Sequence, residues 1–218
     1  MALLTSPGTD IRGARAAAIG LGLAGVLFAV YPATRPYSDE STLDGAAAMA
    51  SPAWIVAHLA AVVGFVLVSL GLLALRLAIG GTGLARASVI SGLVGVGLTL
   101  PYYGAEVFGG NAIAARALAD NSPALMSAVD AMRFNPAAAV LFAGGLLLIA
   151  VAAILVAAAI WRSGALPRSS GVLFAVAFAL FIPQFYASPA LRIAHGVLVA
   201  VGCLWLATGL WQVRRTAS

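Results

Sequence analysis

Apolar runs of about 20 residues recur along this chain, the length an α-helix needs to cross roughly 30 Å of hydrocarbon. They are read near 15–34, 53–76, 87–108, 136–161, 169–186 and 190–213. With 62% hydrophobic and 9% charged residues and a mean hydropathy of +1.05, there is too little polar surface to coat a soluble globule. The expected fold is therefore an all-α integral membrane protein, with residues 1–218 forming a single domain of six transmembrane helices. No linker or second domain is read, and the links on the arginine-rich side are short.

The charges orient this arrangement. All twelve basic residues are arginine, and eight of them (Arg12, Arg15, Arg76, Arg86, Arg162, Arg168, Arg214 and Arg215) fall on one side of the expected membrane. The other side takes Arg35, Arg116, Arg133 and Arg192, with every acid except Asp10. The positive-inside rule then predicts a multi-pass protein of the cytoplasmic membrane with both termini in the cytoplasm. The net charge of +5 does not point to nucleic acid, because the arginines are scattered singly or in pairs at the ends of the runs. The first run resembles a signal peptide in following Arg12 and Arg15, but Val30-Tyr31-Pro32-Ala33 is a poor small-x-small cleavage site. Cys203, the single cysteine, excludes an intrachain disulfide.

Eight residues occur twice: Ser51-Pro52-Ala53-Trp54-Ile55-Val56-Ala57-His58 and Ser188-Pro189-Ala190-Leu191-Arg192-Ile193-Ala194-His195. Ser-Pro is a helix-start signal, because the hydroxyl caps free N–H groups and proline fits the first turn. Each histidine is then roughly 9 Å inside its helix at 1.5 Å per residue. The repetition extends further. Runs one, three and five begin at Arg15, Arg86 and Arg168 and meet Pro32, Pro101 and Pro183. Runs two, four and six begin at Pro52, Pro136 and Pro189 and reach Arg76, Arg162 and Arg214. Gly25 to Val30 recurs as Gly171 to Val176, so three helical hairpins of one orientation are inferred, the middle one carrying Phe142 at the histidine position. Residues 35–50 read as a polar surface loop. In 109–134, Asn121-Ser122-Pro123 caps a short amphipathic helix with Leu125, Met126, Val129 and Met132 on one face.

Ionisable side chains inside the bilayer are candidates for function. His58, His195 and Glu106 fall at similar depth, and Thr99, Tyr102, Tyr103 and Glu106 keep the spacing of one helix face. Gly92, Gly95, Gly97 and Gly104 suggest that this helix is central. Arg192, one turn before His195, is the expected ion-pair partner of Glu106, and Trp54, Tyr102, Tyr103 and Arg192 are candidate ligand contacts. Three chemistries compete. Two imidazoles can ligate haem b, with Gly64, Gly196 and Gly202 making room. His58, His195 and Glu106 together can hold a divalent metal such as zinc. Glu106 can instead act as catalytic acid with a histidine as base on a lipid-soluble substrate. Against these stands a scaffold in which each polar group only ties helices together, as a structural or partner-binding subunit. Proton-coupled transport uses the same residues, but transporters place broken helices near the midplane. The expected partners are membrane lipid and a small lipophilic ligand.

Overall fold

The computed structural model describes residues 11–212, so Asp10, Arg214, Arg215 and the end of the sixth run lie outside the described residues. Every regular element in this range is helical. The α-helices are α1 (Ile11–Thr34), α2 (Leu43–Ala50), α3 (Pro52–Ala78), α4 (Gly83–Gly104), α5 (Asn111–Ala119), α6 (Ser127–Arg133), α7 (Pro136–Ser163), α8 (Arg168–Ala179) and α9 (Pro189–Trp211). A wide π turn, Ala105–Gly110, joins α4 to α5, and tight 3-10 turns occupy Pro123–Met126 and Pro183–Tyr186. Five stretches are long and apolar enough to cross a membrane: Arg12–Thr34, Pro52–Ala78, Gly83–Ala119, Pro136–Ser163 and Pro189–Trp211. The chain is a multi-pass helical membrane protein.

Local chemistry places most boundaries where the sequence puts them. The Ser51 hydroxyl accepts from the Trp54 N–H at 3.3 Å with Pro52 behind it, and Asn135 accepts from the N–H groups of Ala137 and Ala138. Ser188 makes no such bond, so the two Ser-Pro copies differ at their first turn. Two boundaries depart from expectation. The third run does not stop near 108 but continues through the π turn to Ala119. The fifth is shorter than 169–186: regular helix ends at Ala179, because Pro183 has no N–H for the Ala179 carbonyl and its ring crowds that position.

The long helices pack in chain order as a ring. α1 lies along α3 and α9, α4 along α3 and α7, and α8 along α7 and α9. α4 is thus one wall of the ring rather than a central stave. Aromatic rings meet between the walls: Phe28 of α1 stands edge-on to Phe65, Phe178 and Phe181 at 4.9–5.7 Å between centroids. Within lipid, apolar side chains gain little by leaving one another's company for a neighbouring helix, so close approach and interhelical hydrogen bonds hold the walls. Ser88 and Ser91 of α4 donate to the Ala152 and Leu148 carbonyls of α7 at 2.8 and 2.7 Å. Beside them a Cβ on Gly95 would meet the Gly145 carbonyl at 2.7 Å and the Ile149 nitrogen at 2.9 Å, so α4 and α7 touch backbone to backbone there. Gly25 of α1 meets Ala200 and Cys203 of α9, while Gly171, its counterpart in the sequence repeat, meets Ala157 of α7.

One end of the ring carries a cap, which corrects the expectation of a polar loop at 35–50. Asp39 accepts from both the N–H and the hydroxyl of Ser41, and Thr42 then caps α2 by accepting from Gly45. Ala46 and Met49 of α2, Trp54, Ala114 and Ala117 of α5, Met126 and Val129 enclose a small second core. The amphipathic reading of 123–133 holds for Met126 and Val129, but Ser122 makes no capping bond. The opposite end is rich in arginine: Arg15 stands over Trp211 at 5.5 Å and Arg168 over Trp161 at 5.2 Å. Among the described residues all six acids lie towards the cap.

The backbone contact at Gly95 yields a stability prediction. Gly95→Ala forces α4 from α7 and should destabilise the detergent-solubilised protein by about 1–3 kcal/mol, the usual cost of overpacking. Gly97→Ala, two residues away, places a methyl where nothing lies within 4 Å and should be neutral or slightly stabilising. Thermal unfolding of the two variants side by side checks this.

Candidate functional site

Glu106 sits in the π turn at the cap end, 7% exposed, and its partner is not Arg192. Arg133, the last residue of α6, donates to both carboxylate oxygens: Nε to Oε1 at 2.5 Å and Nη2 to Oε2 at 2.9 Å. The same guanidinium reaches Glu40 through Nη1, and Glu40 also accepts from Arg35 at 2.6 Å. The result is an alternating chain, Arg35–Glu40–Arg133–Glu106, running from the end of α1 to the end of α4. Burial opposes the charge on Arg133, but its bonds to Glu106 and Glu40 outweigh that and raise its pKa above the ordinary arginine value. Burial would likewise raise the Glu40 carboxyl, yet Arg133 and Arg35 together hold it below the usual carboxylate range.

The sequence expectation of a Glu106–Arg192 pair fails because the segment after α4 folds back over the ring and delivers Arg133. Arg192 spends its donors elsewhere, on the carbonyls of Ala187 at 3.2 Å and of Phe185, which the break at Pro183 leaves without helical partners. Both oxygens of Glu106 accept from the one guanidinium of Arg133. Among the described residues no three of His, Cys, Asp and Glu gather where a metal ion would need them.

The two histidines are both buried, His58 at 3% and His195 at 9% exposure, and neither faces lipid. Their surroundings differ. His58 Nδ1 lies 2.8 Å from the Trp54 carbonyl one turn back on its own helix, and His195 Nε2 lies 2.9 Å from the Ala177 carbonyl on α8. A carbonyl only accepts, so these nitrogens carry the hydrogens and the copies hold opposite tautomers. The His58 ring packs on Trp54 at 4.2 Å and edge-on to Tyr31 at 5.3 Å. His195 stands edge-on to Phe181 at 5.1 Å. The three glycines expected to make room are closely packed. A Cβ on Gly64 would meet the Phe28 ring at 3.2 Å, one on Gly196 the Phe28 carbonyl at 2.7 Å, and one on Gly202 the Phe174 backbone at 3.1 Å.

The aromatic candidates resolve into separate roles. Trp54 is fully buried rather than at a lipid interface, and its Nε1–H donates to the Glu106 carbonyl at 2.9 Å. Arg35 stands over its ring at 4.8 Å. Tyr102 stacks on Phe142 at 4.0 Å. Tyr103 is enclosed beside Tyr31, their ring centroids 6.0 Å apart. Tyr186 is 90% exposed.

What the structure does bring together is a small cleft where α1, α9 and the Pro183 turn meet. It is narrow, with a volume of about 10 Å³, and is lined by Phe28, Tyr31, Phe181, Gln184, Arg192 and His195 among others. Gln184 is buried, and among the described residues no group is hydrogen-bonded to its side-chain amide or to His195 Nδ1. No carboxylate among the described residues lies within ion-pair distance of Arg192. Its guanidinium is backed by the Tyr37 ring at 5.9 Å. Of these residues only Arg192 and His195 were candidates in the sequence reading. Gln184 was detectable as an amide within an apolar run. Arg133 and Glu40 escaped it too, having been counted for orientation only.

The ion chain makes a definite expectation. Arg133→Met leaves Glu106 buried without its cation and should cost about 3–5 kcal/mol. Adding Glu106→Gln should recover most of that loss, whereas Arg192→Gln combined with Glu106→Gln should show no such recovery. Thermal unfolding of these single and double variants measures the coupling. No family model, no curated protein and no solved structure matches this chain.

Proposed function

We propose that the chain is a six-crossing protein of the cytoplasmic membrane, built as three related hairpins with both termini in the cytoplasm, and that its outer cleft binds a small anionic, lipophilic ligand. The sixth crossing is α8 with its extension. Twelve residues of α-helix, three of turn and four of 3-10 helix add to about 30 Å, close to the hydrocarbon thickness. Contacts along α7 and α9 support the same path, with Arg168 beside Trp161 at one end and Phe181 beside His195 at the other. The arginine-rich end is the cytoplasmic one by the positive-inside rule. The equivalent packing of Gly25 and Gly171, each against the helix preceding its hairpin in the ring, favours the hairpin kinship.

The observation that carries the ligand reading is the cleft's unspent polarity. Arg192 gives Nε and Nη2 to carbonyls but has no carboxylate within ion-pair distance among the described residues, and Gln184 and His195 bring polar atoms without a hydrogen bond there, over a floor of Phe28, Phe181 and Val199. Polar groups at membrane depth are costly unless partnered, so a carboxylate with a short apolar tail complements the lining. At about 10 Å³ the cleft has room for little more than one small polar group, so the carboxylate alone enters it and the apolar tail stays at its mouth. Glu106 then serves the scaffold and not the site.

Linear carboxylates from butyrate to octanoate, compared with alcohols of the same length, provide the test in detergent. A carboxylate present at a hundredfold above its Kd should stabilise the protein by about 2.7 kcal/mol, and its alcohol should not. Gln184→Leu removes no protein hydrogen bond, so it should fold and respond weakly. An equal response to acid and alcohol, or an undiminished response in Gln184→Leu, overturns the reading. Orientation is tested separately by single cysteines at exposed Ala47 and Ala165, with native Cys203 buried and silent. Impermeant maleimide should label Ala47→Cys in intact cells and Ala165→Cys only after permeabilisation; the reverse pattern inverts the topology.

A further inference from the structure

A second concavity lies at the arginine-rich end, towards the start of α8 and the end of α9. It is an open groove of about 730 Å³ between α7, α8 and α9. Ser169, Val172, Leu173 and Val176 form its floor at the i, i+3, i+4, i+7 spacing of one α8 face, with Trp161 of α7 and Trp205 of α9 as walls. Both tryptophans are exposed, as are Val172 and Val176. Arg168 closes one end of the groove, at the first residue of α8. Its guanidinium lies over the Trp161 ring at 5.2 Å and makes no ion pair among the described residues. A cation–π contact leaves the planar N–H donors of arginine unspent, and those donors match a phosphate.

We propose that this groove is a binding site for one anionic phospholipid, its phosphate on Arg168 and the upper part of an acyl chain along the α8 stripe. Charge selects the occupant. Arg12, Arg15, Arg76, Arg86, Arg162 and Arg168 lie towards this end, and no acid among the described residues does. A lipid of net negative charge is therefore favoured over a zwitterionic one. A second copy of the chain is disfavoured by the same charges, since a two-fold contact across the groove would set each Arg168 near its own image. From Arg168 to Val176 the stripe rises about 12 Å, enough for the first eight to ten methylenes of an acyl chain. Trp161 and Trp205 suit the boundary between headgroup and hydrocarbon.

Native mass spectrometry of the detergent-purified full chain tests this, with dioleoylphosphatidylglycerol and dioleoylphosphatidylcholine supplied at equal concentration. The wild-type protein should retain the glycerol lipid at least threefold more than the choline lipid. Arg168→Gln should abolish that preference, and Arg168→Lys should keep part of it. Arg86→Gln, at the same end but outside the groove, should leave it unchanged. Trp205→Ala should weaken both lipids together. Melting curves for every variant establish that each is folded. Equal retention of the two lipids by wild type overturns the proposal, as does an intact preference in Arg168→Gln. An equal loss of preference in Arg86→Gln overturns it too, since that outcome means diffuse attraction to the basic end. A dimer that dissociates on Arg168→Gln without any change in lipid retention assigns the groove to a second copy instead.

Discussion

A single guanidinium shared between two carboxylates ties the cap to the ring. Arg133 arrives on a short helix outside the long bundle, yet it meets Glu106 on α4 and Glu40 on the loop from α1. Without it, Glu106 would be a buried charge facing rings, and the cap would rest on its small apolar core alone. The arrangement works because guanidinium is planar and forked. One edge takes both oxygens of Glu106 while the remaining nitrogen takes Glu40, which no ammonium geometry reproduces. From this junction the order extends inwards. Trp54 donates to the backbone of the same Glu106, His58 packs on Trp54, and Tyr31 packs on His58. The cap and the aromatic interior are therefore mechanically continuous.

The bundle itself is held by a different principle. Within hydrocarbon, the walls adhere through backbone proximity at small residues and through serine hydroxyls donating to carbonyls across helices. Charged latch and close-packed seam thus answer to different forces. The latch depends on charge, and the seam depends on volume.

Length and polarity made the membrane-spanning character legible, because run length and bilayer thickness are two readings of one quantity. Helix starts were legible for Ser51 and Asn135, where the capping atom is local in sequence. The partner of Glu106 was not, since depth along a helix says nothing about which non-adjacent segment folds over it. Arg192 matched Glu106 in depth and helix face, yet carbonyls freed by Pro183 lay closer. The paired histidines illustrate the same limit from another side. Their flanking residues repeat, but Trp54 in one copy is Leu191 in the other, and with that exchange the ring finds a different carbonyl and a different tautomer. The cleft at Gln184 arises where a broken helix end, α1 and α9 meet, and no single stretch encodes it.

The π turn at Ala105–Gly110 has a geometric consequence for everything beyond it. A π turn is an α-helix carrying one residue too many, so each residue after it is rotated by about 100° relative to an uninterrupted helix. That rotation sets the azimuth at which α5 leaves the ring. Gly109 and Gly110 then have room for Met132 and Met49 to settle against them. In register terms, the cap is aimed by one inserted residue. A helix continuing in plain α geometry would turn the residues of α5 by that angle away from the side they now present to α2.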